Sequence, residues 1–126
     1  MNIEKVVFGF FILLAATLNF GFVYGDIDDP LVHDQWELFA AVVVTLIAAV
    51  LKFGDRTHIG AVHLSSSLVA LLQLAAATVA WVLAERAGAR LTPEATARVV
   101  SLAAGALFAN VISVVIMVIE TTMQRR

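Results

Sequence analysis

Two stretches of this chain, Val6 to Tyr24 and Val99 to Ile119, contain no charged side chain. Apolar runs of that length can serve as membrane spans, and hydrocarbon offers no water to the backbone, so they cross as helices or as strands of a closed barrel. Barrel strands alternate apolar and polar residues. Runs such as FFILLAA and AAVVVTLIAAVL do not. Two further runs complete the pattern: Ile59 to Ala84, whose one ionisable residue is His63, and Leu38 to Leu51, framed by Trp36 and Phe53. Composition agrees, with 61% hydrophobic and 14% charged residues against about 45–50% and about 25% in soluble domains. The expected fold is an all-α membrane protein, four transmembrane helices in an up-down bundle. It forms one domain over residues 1–126, with spans near 5–24, 36–53, 59–84 and 97–120.

The second span is the shortest. Its uncharged part reaches only about 21 Å at 1.5 Å per residue. Trp36, Glu37, Lys52 and Phe53 extend it to a full crossing, with Trp36 at one interface and Lys52 snorkelling at the other; a re-entrant loop is the alternative. The first apolar run exceeds the 7–15 residues of a secretory h-region, so it reads as a retained span. Gly54 is placed as the stop of the second helix, and the short turn Gly54-Asp55-Arg56-Thr57 makes helices two and three an antiparallel hairpin. Before the fourth helix, Thr92-Pro93-Glu94 reads as N-cap, first-turn proline and first-turn acid. Glu94 and Arg98 stand in the favoured i,i+4 order.

Charge sets the expected orientation. The first loop holds Asp26, Asp28, Asp29 and Asp34 and no Lys or Arg, whereas the second holds Lys52 and Arg56. The positive-inside rule puts both termini in the cytoplasm, with Lys5, Arg125 and Arg126, and the acidic loop outside. Arg86, Arg90 and Arg98 argue the other way. With no cysteine, the chain has neither a disulfide framework nor a thiolate metal site. A net charge of −2 leaves no electrostatic footprint for nucleic acid. The expected surroundings are a lipid bilayer.

The acidic loop is the densest group of ligand-type side chains. Counted from Asp26, an EF-hand would need glycine where Leu31 stands, and Pro30 occupies the fifth position. The loop therefore reads as a solvated acidic segment, with a specific divalent site as the lesser alternative. His63 lies about one turn into its span and reads as structural, or else as a gate, pH sensor or pore residue. No Asp, Glu, Lys or Arg falls in the middle of any helix, which disfavours proton-coupled export through a buried carboxylate. No nucleophile, base and orienting group stand together, so no enzyme, catalytic residue, metal or cofactor is expected.

Small and polar residues instead form stripes. Ser101, Gly105, Ala109 and Ser113 recur every fourth position on helix four, as do Thr17, Gly21 and Gly25 from helix one onward. On helix three His63, Ser66, Ser67, Ala70, Gln73 and Ala77 share a face. Small residues let membrane helices approach closely, and Asn, Gln and Ser bond between helices, so Asn19, Gln73 and Asn110 are expected to face protein. Such stripes can close one bundle, build an oligomer or line a narrow pore.

Two segments carry a resemblance: Lys5-Val6-Val7-Phe8-Gly9-Phe10-Phe11 leading to Asn19-Phe20-Gly21, and Leu51-Lys52-Phe53-Gly54-Asp55-Arg56-Thr57 leading to Ile59-Gly60-Ala61. Together with Glu37-Leu38-Phe39 and Leu68-Val69-Ala70, they resemble a family of small four-span bacterial inner-membrane proteins of unknown function. The resemblance covers roughly the first 80 residues, is weaker over helix four, and implies four spans with no assigned activity. The small fluoride channels fit poorly, because Phe108 and Asn110 stand on the wrong helix for their pore and the first helix lacks the Arg and aromatic pair. The small multidrug exporters fit poorly because helix one carries no internal glutamate. The expected role is a non-enzymatic subunit acting by helix–helix association, accessory to a channel or transporter. A self-contained homo-oligomeric channel for a small ion or neutral solute is the alternative.

Overall fold

The computed structural model describes residues 3–54, 57–87 and 91–124. The expected turn through Asp55 and Arg56 lies outside these residues, as do Gly88, Ala89 and Arg90 of the third connection and the terminal arginines. Four helices make up the fold: α1 (Ile3–Val23), α2 (Gln35–Lys52), α3 (His58–Ala87) and α4 (Pro93–Gln124), with a single 3-10 turn at Pro30–Val32. All four are long and apolar enough to cross a membrane. The shortest, α2, spans about 27 Å at 1.5 Å per residue, close to the hydrocarbon thickness of about 30 Å.

Contacts join α1 to α2, α2 to α3, α3 to α4 and α4 back to α1. The helices therefore stand at the corners of a square, with α1 diagonal to α3 and α2 diagonal to α4. The inward positions explain this packing. They are Phe8, Ile12, Ala15, Asn19 and Phe22 on α1, then Leu38, Ala41, Thr45, Ala48 and Lys52 on α2. On α3 they are His63, Ser67, Ala70, Leu74, Ala77 and Trp81, and on α4 Thr96, Val99, Ala103, Ala106, Asn110 and Ser113. Each series alternates steps of three and four, a mean of 3.5 residues, which keeps one seam facing its neighbours in a left-handed bundle. The fourfold stripes drift off such a seam by about 50° per step. Ser101 thus faces outward while Ala109 and Ser113 at the far end of the same stripe are buried. Lipid tails are as apolar as leucine, so burying Leu74 or Val99 gains dispersion contacts and not the water-exclusion term of a soluble core.

The two halves of the core differ. Near the α1–α2 loop it is apolar, built from Phe22, Leu38, Leu74, Trp81, Val99 and Val100 with alanines between them. Near the chain ends a second cluster, Phe8, Ile12 and Ala48, shares the interior with polar side chains. Aromatic residues mark both ends on the outside, with Tyr24 and Trp36 exposed at one and Phe53 at the other, as at membrane–water boundaries.

Caps end the helices as the local sequence dictates, with one exception. The Thr92 hydroxyl accepts from the Ala95 N–H at 3.1 Å and α4 begins at Pro93. Asp34 accepts from Trp36 N–H at 2.9 Å and starts α2. Gly54, expected as the left-handed stop of α2, does not take that role. Phe53 caps the helix in the right-handed region, its N–H bonding the Val50 carbonyl at 3.1 Å, and Gly25 is the one described glycine with positive φ, at 107°. Gly25 ends α1 and turns the chain toward Val32, whose methyl lies 2.8 Å from where a Cβ would stand. Gly25→Ala should therefore destabilise the bundle by about 1–2 kcal/mol, read as a lower unfolding midpoint in lipid nanodiscs. Gly54→Ala, at a position with open space around it, should leave that midpoint nearly unchanged.

Candidate functional site

At the end of the bundle formed by the start of α1 and the end of α4, side chains from all four helices line an open cavity of about 460 Å³. Lys5, Val6 and Phe8 come from α1, Lys52 from α2, His63 from α3, and Met117, Val118, Glu120, Thr121 and Thr122 from α4. Close approach of α1 to α4 depends on Gly9, where a Cβ would come within 3.1 Å of the Met117 sulfur.

The charged groups here are paired across helices. The Lys5 ammonium lies 2.9 Å from Glu120 Oε1, and His63 Nε2 lies 3.6 Å from Glu120 Oε2. Glu120 is only 15% exposed at its side chain and His63 1%. The Lys52 ammonium sits 4.4 Å from the centre of the Phe8 ring, and the edge of that arrangement continues to His63, whose ring centre is 4.9 Å from Phe8. A cation over an aromatic face gains from the ring quadrupole, more so where water is excluded. Two expectations from the sequence change here. Lys52 does not snorkel outward but is buried against Phe8. The chain also does have a nearly buried carboxylate, because Glu120, which the sequence places at the end of a span, turns back between Lys5 and His63. Glu120 stands about one turn from the end of α4, not in the middle of a helix.

Inward from the cavity the polar residues continue along α3 and α4. Ser66 donates to the His63 carbonyl at 3.0 Å and shares a hydrogen bond with Ser113. Ser67 and Asn110 are fully buried nearby. Higher up, the Asn19 amide donates to the Ala103 carbonyl at 2.9 Å and accepts from the Leu107 N–H at 3.0 Å, in the amide orientation that satisfies both ends. Gln73 lies against Gly105, where any Cβ would run into its amide, and Gly21 gives the same room to the Glu37 carboxylate. The candidate pore face of α3, His63, Ser66, Ser67 and Gln73, thus turns into the bundle of a single chain.

The acidic loop divides its labour. Asp29 accepts from the Leu31 N–H at 2.9 Å and Asp34 caps α2, while Asp26 and Asp28 are exposed. Among the described residues, no three carboxylate or imidazole groups gather as they would around a metal ion. Sequence reasoning passed over the loop's organiser, His33, which is 4% exposed. Its Nδ1 lies 2.6 Å from the Phe22 carbonyl and its Nε2 2.7 Å from the Asp26 carbonyl, so one ring ties the loop to the end of α1. The signal was a lone polar ring between Val32 and Asp34, with nothing in the spacing to say that it folds inward.

Glu120→Ala should lower the unfolding midpoint in nanodiscs by leaving the Lys5 cation and the His63 ring without this carboxylate. The loss should fall below the ~3–5 kcal/mol of a fully buried pair, because the Lys5 side chain is 38% exposed and partly screened. Lys5→Ala should cost less than Glu120→Ala.

No curated protein and no solved structure matches the chain. A family model does, over residues 32–121, which takes in α2, α3 and α4 up to the floor of the cavity at Glu120 and Thr121. This span includes the fourth helix, where the resemblance read from the sequence is weaker. The chain belongs to DUF6394, a family of unknown function.

Proposed function

We propose that this four-helix protein works by helix–helix association, as an accessory or assembly subunit of a larger channel or transporter complex. Its place would be the bacterial inner membrane, with the termini and the charged cavity on the cytoplasmic side. The observation that supports this is the outer face of α3. Ala61, Ser65, Ala75 and Ala76 are exposed there, and the Ser65 hydroxyl is satisfied by the Ala61 carbonyl at 2.9 Å. Small residues at the two ends of this face let a partner helix approach closely, and Leu68 and Leu72, exposed between them, offer it contact area. The bundle's own packing does not use this face, since the inward seam of α3 runs through His63, Ser67, Leu74 and Trp81.

Gentle solubilisation followed by native mass spectrometry tests the reading. A complex well above the 13.5 kDa of one chain is expected, and Ala61→Leu with Ala76→Leu should weaken it about tenfold or more, equivalent to ~1.4 kcal/mol. Isolated chains with no co-purifying partner would overturn it.

A second reading, a self-contained channel for a small ion or neutral solute, draws on the polar residues that lead inward from the cavity. The lining would lie within one protomer, because His63, Ser66, Ser67 and Gln73 turn into the bundle. Flux through proteoliposomes, reduced by Ser67→Leu, is the expected result on that reading. No flux across a panel of monovalent ions would exclude it.

A further inference from the structure

Three fully buried polar side chains on three helices have no hydrogen-bond partner among the described residues: Thr45 Oγ1 on α2, Ser67 Oγ on α3, and both amide atoms of Asn110 on α4. The helix register places them together. Lys5 meets Glu120, Gly9 meets Met117, Ser66 meets Ser113, and Phe8 meets Lys52. Counted from these pairs, the three side chains fall within roughly 5 Å of one another along the bundle axis, at 1.5 Å per residue. Alanines stand at the same level, among them Ala15, Ala48, Ala70 and Ala109, all buried. They offer nothing polar.

Hydroxyls in membrane helices usually bond the carbonyl one turn back. Thr17, Ser65, Thr78, Thr121 and Thr122 all do so in this chain. Thr45 and Ser67 do not, so their hydroxyls are left in need of a partner. The chemistry of Asn110 identifies what they serve. A metal cation would satisfy its carbonyl oxygen and the two hydroxyls, yet leave the amide N–H groups bare. Water donates and accepts, and so matches all four atoms at once.

We propose that Thr45, Ser67 and Asn110 hold bound water at the middle of the bundle, and that the charged cavity is the mouth of a one-sided aqueous path leading to it. Ser67 stands one turn, about 6 Å, inward from His63, which lines the cavity. Ser66 and Ser113 continue the polar side of the path. Beyond Asn110 the path ends, because Phe22, Leu38, Leu74 and Trp81 fill the other half of the bundle. Water therefore reaches mid-membrane from the end that bears Lys5 and Glu120 and goes no further. This site does not depend on the assembly reading and stands or falls separately from it.

The chain has no cysteine, so single substitutions report access cleanly. Ser67→Cys probes the wet layer, Ala77→Cys the apolar half, and Met123→Cys, exposed beyond the cavity, marks the side that faces the mouth. Silver ion is added to one face of sealed proteoliposomes, and the thiols left unblocked are then counted with a fluorescent maleimide after denaturation. Ser67→Cys should be blocked at least about tenfold faster than Ala77→Cys, and from the same face as Met123→Cys. Equal rates at Ser67→Cys and Ala77→Cys, or blocking of Ser67→Cys only from the opposite face, would overturn the proposal. An independent readout uses the unaltered chain in nanodiscs. Water-to-protein NMR cross-peaks are expected at the side chains of Ser67 and Asn110 and not at Ala77, and their absence at Ser67 and Asn110 would overturn it equally.

Discussion

A polar group inside a membrane bundle must be matched from another helix or by enclosed solvent, because neither the lipid nor an apolar core will bond it. That demand organises this molecule. Asn19 meets it by reaching the backbone of α4 at Ala103 and Leu107, and Ser66 meets it through Ser113. Glu120 meets it by pairing with Lys5, with the His63 ring beside it. Each of these links fixes the vertical register of two helices, which dispersion contacts between alanines and leucines leave free to slide.

The same demand separates the bundle into two halves. Close to the α1–α2 loop, aromatic and aliphatic side chains fill the interior, with Phe22 and Trp81 ring centres 6.0 Å apart and His33 sealing the loop above them. Towards the chain ends, the interior holds two lysines, a histidine and a glutamate around a cavity. Charge sits in the half that opens to the boundary, where its desolvation is least costly, and hydrocarbon fills the half that is closed.

Much of this was legible in the sequence, and the reason is physical. Lipid admits only helices of a narrow length range, so uncharged runs such as Val6 to Tyr24 locate their spans directly. Caps act over a few residues, so Thr92 and Pro93 announced the start of α4. Asn19 and Asn110 were legible as inward-facing because an amide in lipid is costly. The cavity was not legible. Lys5, Lys52, His63 and Glu120 lie on four different helices, and nothing in the local spacing of any one of them says which neighbours it meets. The fourfold stripes misled for a related reason. A repeat of four drifts around a helix whose packing seam advances by 3.5 residues, so Ser101 and Ser113 end on different faces.

The sequence by itself determined the class of the fold, the number of apolar spans and the starts of α2 and α4, because those follow from hydrophobicity and hydrogen bonding over one or two turns. It also determined that a few polar side chains had to be hidden from lipid. Tertiary structure decided where they went: Lys52 under the Phe8 ring, Glu120 folded back between Lys5 and His63, and Thr45, Ser67 and Asn110 gathered at one level. Those outcomes depend on the register between helices that are far apart in the chain, and that register exists only once all four have packed.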